Sequence, residues 1–185
     1  MSANTETALH PLARPLVLPT PLEPESPLWR FALEAWHKPG FREVCLALQA
    51  QGWSVTRILS AGWLALAGRP YTGLEDATLT EWRSHVTGAL RTARQAIPKE
   101  AAQCRGLRAG IADLELEAEQ LELALAWRTI KNDPAEDRDM QGCTELIQTN
   151  LAAAAPSPGA VGDAMPLLNT LATLLAPVPN GDPKP

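Results

Sequence analysis

The sequence has few of the residues on which catalysis and metal binding usually depend. Only three histidines and three cysteines occur in 185 residues. The cysteines at 45, 104 and 143 are far apart and odd in number, which does not match a disulfide framework or a metal-binding cluster. G-x-S-x-G, G-x-G-x-x-G and Walker-type phosphate-binding patterns do not occur either. The sequence therefore favours a non-enzymatic protein and predicts no cofactor and no metal site.

Long apolar runs and an excess of positive charge are also lacking. The net charge of −5 and the pI near 5.2 disfavour broad binding to nucleic acids or anionic membranes. A helix-turn-helix over residues 41–68 would need a polar recognition helix, but its second helix is largely apolar. Frequent prolines interrupt the N-terminus, so it does not match a secretory signal. We expect a soluble cytoplasmic protein with no nucleic-acid and no membrane partner.

The sequence is rich in helical patterns, and no stretch has a convincing strand pattern. The clearest helix covers residues 55–67, with Ser54 as its N-cap and Gly68 followed by Pro70 at its end. Apolar side chains surround its axis almost completely, which is typical of a helix that other helices enclose. The sequence therefore predicts an all-α fold, a small bundle of five to six helices around this central helix.

Composition divides the chain into three parts. Residues 1–25 form a proline-rich arm that we expect to be disordered, although its PxxP spacings leave a proline-rich ligand as an alternative. Residues 26–131 form the helical domain, which begins at the strong helix-start signal Ser26-Pro27. Residues 132–185 form a weakly helical, Ala/Pro-rich C-terminal region and tail.

The last helix of this domain carries two apolar stripes on opposite sides, a pattern that predicts two packing partners. One stripe would face the N-terminal helices. The second would meet the C-terminal helices or a second copy of the chain, and it consists of Leu116, Leu123, Trp127 and Ile130.

Three glutamates, Glu115, Glu119 and Glu122, share a further face of the same helix. Inward-facing glutamates can bind two metals, but such sites also need a Glu-x-x-His pattern on each of two helices. The chain has this pattern only once, at Glu34 and His37. We therefore interpret the glutamates as a solvated acidic seam.

Aromatic residues are few apart from six tryptophans. We expect Trp36, Trp63 and Trp82 in the core, whereas Trp29 at a helix edge and Trp53 at a turn are candidates for a binding pocket.

Cys45 lies on an apolar helix face and is expected to behave as a small hydrophobic residue. A nucleophilic role would need a nearby base, for which His37 is the candidate closest along the chain.

A set of residues near the start of the helical domain fits the pattern L-W-x-F-A-L-x-x-Y-x-x-P-G-V-x-x-x-C-L-x-L-Q. The matching residues are Leu28, Trp29, Phe31, Ala32, Leu33, Pro39, Gly40, Cys45, Leu46, Leu48 and Gln49. This pattern is similar to the opening of a proteobacterial family of unknown function, and the resemblance extends over residues 27–130. It implies a small, bacterial, cytoplasmic, all-helical protein, and it marks Trp29, Cys45 and Gln49 as positions to test. The family supplies no activity to carry over.

Two hypotheses about function follow. The first is a protein-interaction or self-association module that uses the Leu116/Leu123/Trp127/Ile130 stripe, with an unknown protein or a second copy as its partner. The alternative is a small-molecule-binding or catalytic protein with a pocket near Trp29, Cys45 and Gln49. The candidate binding residues for this alternative are Trp29, His37, Cys45, Gln49 and Trp53.

Overall fold

The structure, a computed structural model, describes residues 15–131 and 140–176. Within these ranges it contains helices and no β-strand, which confirms the predicted all-α class. The α-helices are α1 (Pro27–Trp36), α2 (Phe41–Ala50), α3 (Val55–Leu66), α4 (Ala77–Trp82), α5 (Gly88–Ala96), α6 (Arg105–Ile130), α7 (Met140–Ala153) and α8 (Ala160–Leu175). A π-helical turn, Arg83–Thr87, joins α4 to α5, and a 3-10 turn, Ala102–Cys104, precedes α6.

The predicted central helix is α3. The Ser54 side chain accepts the backbone N–H of Arg57 at 3.3 Å, as expected of an N-cap. Nine of the twelve α3 residues are buried, and α1, α2, α6 and α7 all pack against this helix. An almost entirely apolar surface thus places α3 in the middle of the bundle.

The first two helices are short and joined by a tight turn. Ser26 caps α1, and Pro27 occupies its first turn. Gly40 precedes α2 with φ +83°, a left-handed conformation that a residue with a Cβ adopts only with strain. The turn folds α2 back, so that Phe41, Cys45 and Leu48 join the core.

The helical segment from Ala77 to Ala96 consists of α4, the π turn and α5, which follow one another without a break. Asp76 caps the start of α4, where its side chain accepts a hydrogen bond of 2.8 Å from the Thr78 N–H. After Pro98 the chain passes through the 3-10 turn, and α6 begins at Arg105. α5 then packs along α6.

The C-terminal helices pack chiefly against α3 and α2 rather than against α6. Ile147, Leu151, Leu171 and Leu175 are all at most 2% exposed. Close approach is possible because α3 carries Gly62, where an added Cβ would lie 2.9 Å from a Leu175 methyl group. The described part of the 132–185 region therefore completes the core.

A single buried amide connects α7 to the end of α3. The Asn150 Nδ2 group donates to the backbone oxygens of Ala61 at 3.1 Å and Arg69 at 2.8 Å. Its Oδ1 accepts the N–H of Tyr71 at 2.9 Å. Because each polar atom of this side chain has a partner, Asn150 can be completely buried without a large desolvation penalty.

Part of the predicted disordered arm contacts the bundle. Residues 1–14 lie outside the described residues, but Leu18 and Leu22 pack against the core. Glu23 accepts from the Lys131 ammonium at 2.5 Å and from the Trp127 indole N–H at 3.2 Å. These contacts hold the end of the arm near the C-terminus of α6.

Candidate binding cavity and charge network

The predicted binding residues do not form one site. Trp53, expected at a pocket, is only 2% exposed and belongs to the core, because the turn at Gly52 directs its side chain inward. Gln49 is half-buried on α2. Trp29 lines a cavity between the helices, together with Trp36, for which the sequence predicted a core position.

The alternative in which His37 activates Cys45 as a nucleophile has no support in the geometry. Cys45 is completely buried, and burial raises the pKa of its thiol to about 12, so the thiolate is scarce at neutral pH. His37 is exposed, and its Nδ1 lies 2.6 Å from the backbone oxygen of Leu33. A buried, protonated thiol is a packing residue rather than a nucleophile.

The second stripe of α6, predicted to meet the C-terminal helices or a second copy of the chain, is mostly covered by the chain's own helices. Leu123 is 1% exposed, and Trp127 and Ile130 are half-buried against the core. The Trp127 ring meets the Trp63 ring edge-on at 6.0 Å. Of the four stripe residues, only Leu116 stays largely exposed, at 53%.

A cavity of about 200 Å³ lies between α1, α3 and α6. Most of its walls are apolar, and its polar side chains other than the two indoles are Thr56 and Glu119. The lining residues are Trp29, Ala32, Leu33, Trp36, Val55, Thr56, Leu59, Leu116, Glu119 and Leu123. We call this the α1–α6 cavity.

Helical periodicity explains which side chains line it. Side chains that are three, four or seven positions apart share a helix face, and the lining residues of α1, Trp29 to Trp36, follow this spacing. The same spacing relates Leu116, Glu119 and Leu123 on α6. Ala32, in the middle of the α1 wall, is small and leaves space that a larger residue would fill.

Glu119 is the only carboxylate on the cavity wall. Its side chain is 22% exposed, and its Oε1 accepts from the Arg91 guanidinium at 2.5 Å. Burial raises the pKa of Glu119 to about 7, and the negative charges of Glu115 and Glu122 add to the rise, while Arg91 opposes it. The Glu119 carboxyl group therefore titrates near neutral pH.

Behind the cavity lies a network of buried ion pairs. Glu122 is 1% exposed, and its Oε1 accepts from the Arg83 guanidinium at 2.6 Å and from the Thr56 hydroxyl. Arg83 also binds Glu75 with two hydrogen bonds of 2.5 and 2.9 Å. Arg57 reaches the same Glu75 at 2.7 Å. The network thus connects the Thr56 wall of the cavity to the loop before α4.

The glutamates on α6 do not form a solvated seam, so that interpretation was wrong. Glu115 is 6% exposed and accepts from Arg91 at 2.8 Å and from Arg94 at 2.5 Å. Arginines on α5 neutralise the carboxylates and make their burial possible. A sequence signal for this exists, since α5 and α6 pair as an antiparallel hairpin and their charged faces have opposite signs.

Two further kinds of site find no support in the part of the chain that the structure describes. There, no three His, Cys, Asp or Glu side chains are grouped so that they could hold a metal ion. Nor does any helix in that part have the length and hydropathy needed to cross a membrane.

The helical part of the chain matches a known protein family. Residues 27–126, more than half of the chain, match the family model described as "Protein of unknown function (DUF2390)". The chain belongs to this family. The matched range includes every residue that lines the α1–α6 cavity. Searches among curated proteins and among solved structures found no significant match.

Proposed function

We propose that this chain is a non-enzymatic binding protein whose ligand places an apolar group in the α1–α6 cavity. The observation that carries the proposal is the combination of a largely apolar wall with one carboxyl group, Glu119. Ligand sites commonly have this form, in which apolar surface provides affinity and a few polar groups orient the ligand.

The size of the cavity limits the group that it can accept. An engineered apolar cavity of about 150 Å³ in another protein binds benzene. The α1–α6 cavity, at about 200 Å³, therefore accommodates a single ring or a branched aliphatic group. The mouth of the cavity is bordered by exposed Leu33 and Leu116, so a longer ligand can extend into solvent.

The chemistry of the wall favours binding over catalysis. Thr56 already donates its hydroxyl hydrogen to Glu122, and Glu119 is held by Arg91. The wall contains no cysteine, histidine or lysine that could act as a nucleophile. Catalysis by general acid–base chemistry alone would need a second group of matched pKa beside Glu119.

Calorimetric titration of the full chain with toluene tests this function. We expect a single saturable site, which Ala32→Leu removes by filling the cavity. Ala50→Leu makes the same change on an exposed part of α2 and should leave binding intact. Thermal unfolding of both variants confirms that they fold. Absence of toluene binding, or equal binding by Ala32→Leu, contradicts the proposal.

A protein partner is the second candidate, and the exposed border of the cavity favours it. Leu33 and Leu116 are 42% and 53% exposed beside the half-buried indoles of Trp29 and Trp36. A second copy of the chain would cover these leucines. Light scattering of the full chain over a range of concentrations should then show a dimer that Leu116→Lys disrupts. Leu74→Lys, at an 86% exposed site outside the cavity, is the matched control. A monomer at every concentration rejects self-association.

The proposed setting is the bacterial cytoplasm. All three cysteines are free in the structure, and Cys45 is buried in the core, which is typical of proteins kept in a reducing compartment. Fractionation of the cells that produce the protein tests this directly, because recovery with the periplasmic or membrane fraction would contradict it.

A further inference from the structure

We infer that the ligand of the α1–α6 cavity is an organic amine, bound as its ammonium ion to Glu119 beside the indole rings of Trp29 and Trp36. The inference rests on the binding function proposed above and adds the chemical class of the ligand. It depends on three features of the cavity, which are the free oxygen of Glu119, the charges around it and the two indole rings.

The carboxylate has an oxygen available for a ligand. Glu119 binds Arg91 through Oε1, whereas its Oε2 makes no hydrogen bond or ion pair with any described residue. An ammonium N–H is a strong donor to such an oxygen, because both partners carry charge. Since the rest of the wall is largely apolar, water competes weakly for this contact.

The charges around Glu119 favour a cation over an anion. From α5 it faces Arg91, and on its own helix it lies near Glu115 and Glu122, while α1 and α3 contribute only uncharged side chains to the cavity. Arg91 is shared between Glu115 and Glu119, so it neutralises Glu119 only in part. The raised pKa of Glu119 is the result, since ionisation here lacks sufficient compensation. A bound ammonium group would supply the missing positive charge.

The two tryptophans add a second contribution to ammonium binding. Trp29 and Trp36 lie two turns apart on one face of α1, and both line the cavity. The face of an indole ring attracts cations through its quadrupole, and tryptophan is the best of the aromatic side chains in this respect. Aromatic rings beside a carboxylate form a common arrangement for binding alkylammonium groups. A neutral ligand would gain the apolar contact with the rings but neither the cation–π nor the charge interaction.

The test compares three probes of similar shape on the full chain, namely benzylamine, benzyl alcohol and toluene. At a pH above 7, where Glu119 is ionised, benzylamine should bind about tenfold more tightly than the two neutral probes. This advantage should decline as the pH falls below 7 and Glu119 takes up its proton, whereas toluene binding stays constant.

Variants then assign the effect to Glu119. Glu119→Gln should reduce benzylamine binding about tenfold more than it reduces toluene binding, and Glu119→Asp, which keeps the charge, should show a smaller difference. Glu117→Gln removes a carboxylate from an exposed site of the same helix and is the control. Toluene binding also shows that each variant retains the folded cavity.

Two results would overturn the inference while the proposed function stands. These are equal affinity of the unaltered chain for benzylamine and benzyl alcohol, and tight benzylamine binding that Glu119→Gln does not change. If none of the three probes binds, the proposed function itself is wrong.

Discussion

The two sides of α3 bury polar groups in different ways. Towards α7 and α8 the interface is largely apolar, Arg57 donates to the backbone oxygens of Ala153 and Ala154 at the end of α7, and each polar atom of Asn150 has a partner. Towards α6 the interface contains the cavity, and Glu122 has one oxygen, Oε2, for which no partner is found. Complete pairing is typical of a structural interface, whereas space and spare hydrogen-bonding capacity are typical of a site that accepts a ligand.

Breaking the ion-pair network on the α6 side should have the largest effect. Arg83→Met leaves Glu122 and Glu75 buried without their shared partner, which should lower the free energy of unfolding by about 3–5 kcal/mol. Urea denaturation measures this loss. The double variant Arg83→Met/Glu122→Leu should be more stable than the single one, because it removes an unpaired buried charge. A loss below about 1 kcal/mol would mean that the network behaves like a surface ion pair.

Removing the amide on the α7 side should have the next largest effect. Asn150→Ala leaves the Tyr71 N–H and the Arg69 oxygen buried without this partner, and we expect a loss of about 3 kcal/mol. Asn169→Ala, the same change at an exposed site on α8, should cost less than about 0.5 kcal/mol. Similar losses in both variants would show that Asn150 does not connect α7 to α3.

The pH dependence of stability distinguishes the two sides further. The folded-state pKa of Glu119, about 7, is above the ordinary 4.5, so its contribution to stability is complete below pH 4.5 and is lost as the pH rises through 7. Glu119→Gln lacks this loss. Its stability relative to the unaltered chain should therefore rise by roughly 2–3 kcal/mol across this range.

Urea titrations at several pH values measure that change. Glu117→Gln corrects for the loss of one negative charge from α6. A constant difference between Glu119→Gln and the unaltered chain would show that Glu119 is not held in a desolvated site.

The smallest effect is expected where the N-terminal arm meets α6. Lys131 and the Trp127 indole hold Glu23 and keep the pKa of its carboxyl group below the usual value. Glu23→Gln should weaken the contact, which NMR would detect as a shift of the Trp127 indole N–H resonance with faster hydrogen exchange. Glu25 contacts Gln120 rather than Trp127, so Glu25→Gln should leave the Trp127 resonance in place. Identical spectra for both variants would contradict docking of the arm.

The fold was largely predictable because local signals and hydrophobic pattern agree in the first half of the chain. Ser26 and Ser54 mark helix starts that the structure reproduces. The position of α7 and α8 was not predictable, because their apolar residues do not indicate which helix they pack against. Gly62, which permits the approach of Leu175, has no meaning until the two helices are placed together.

The site was less predictable than the fold. The structure places Trp29 on the cavity wall and Trp53 in the core, since a position at a turn gives no information about the direction of a side chain. Glu115 and Glu122 looked solvated because a single helix does not show which side chains of a neighbouring helix face it. When α5 and α6 are treated as an antiparallel pair, the arginines of α5 indicate that the glutamates of α6 are paired rather than solvated.

Methyl NMR of the full chain during titration with toluene would locate the bound ligand directly. We expect shifts at the cavity-lining methyl groups of Val55, Leu59 and Leu123, and unchanged resonances for Leu151 and Leu171 on the other side of α3. Shifts that centre on Leu151 and Leu171, or no saturable shift at all, would contradict the assignment of the α1–α6 cavity as the binding site.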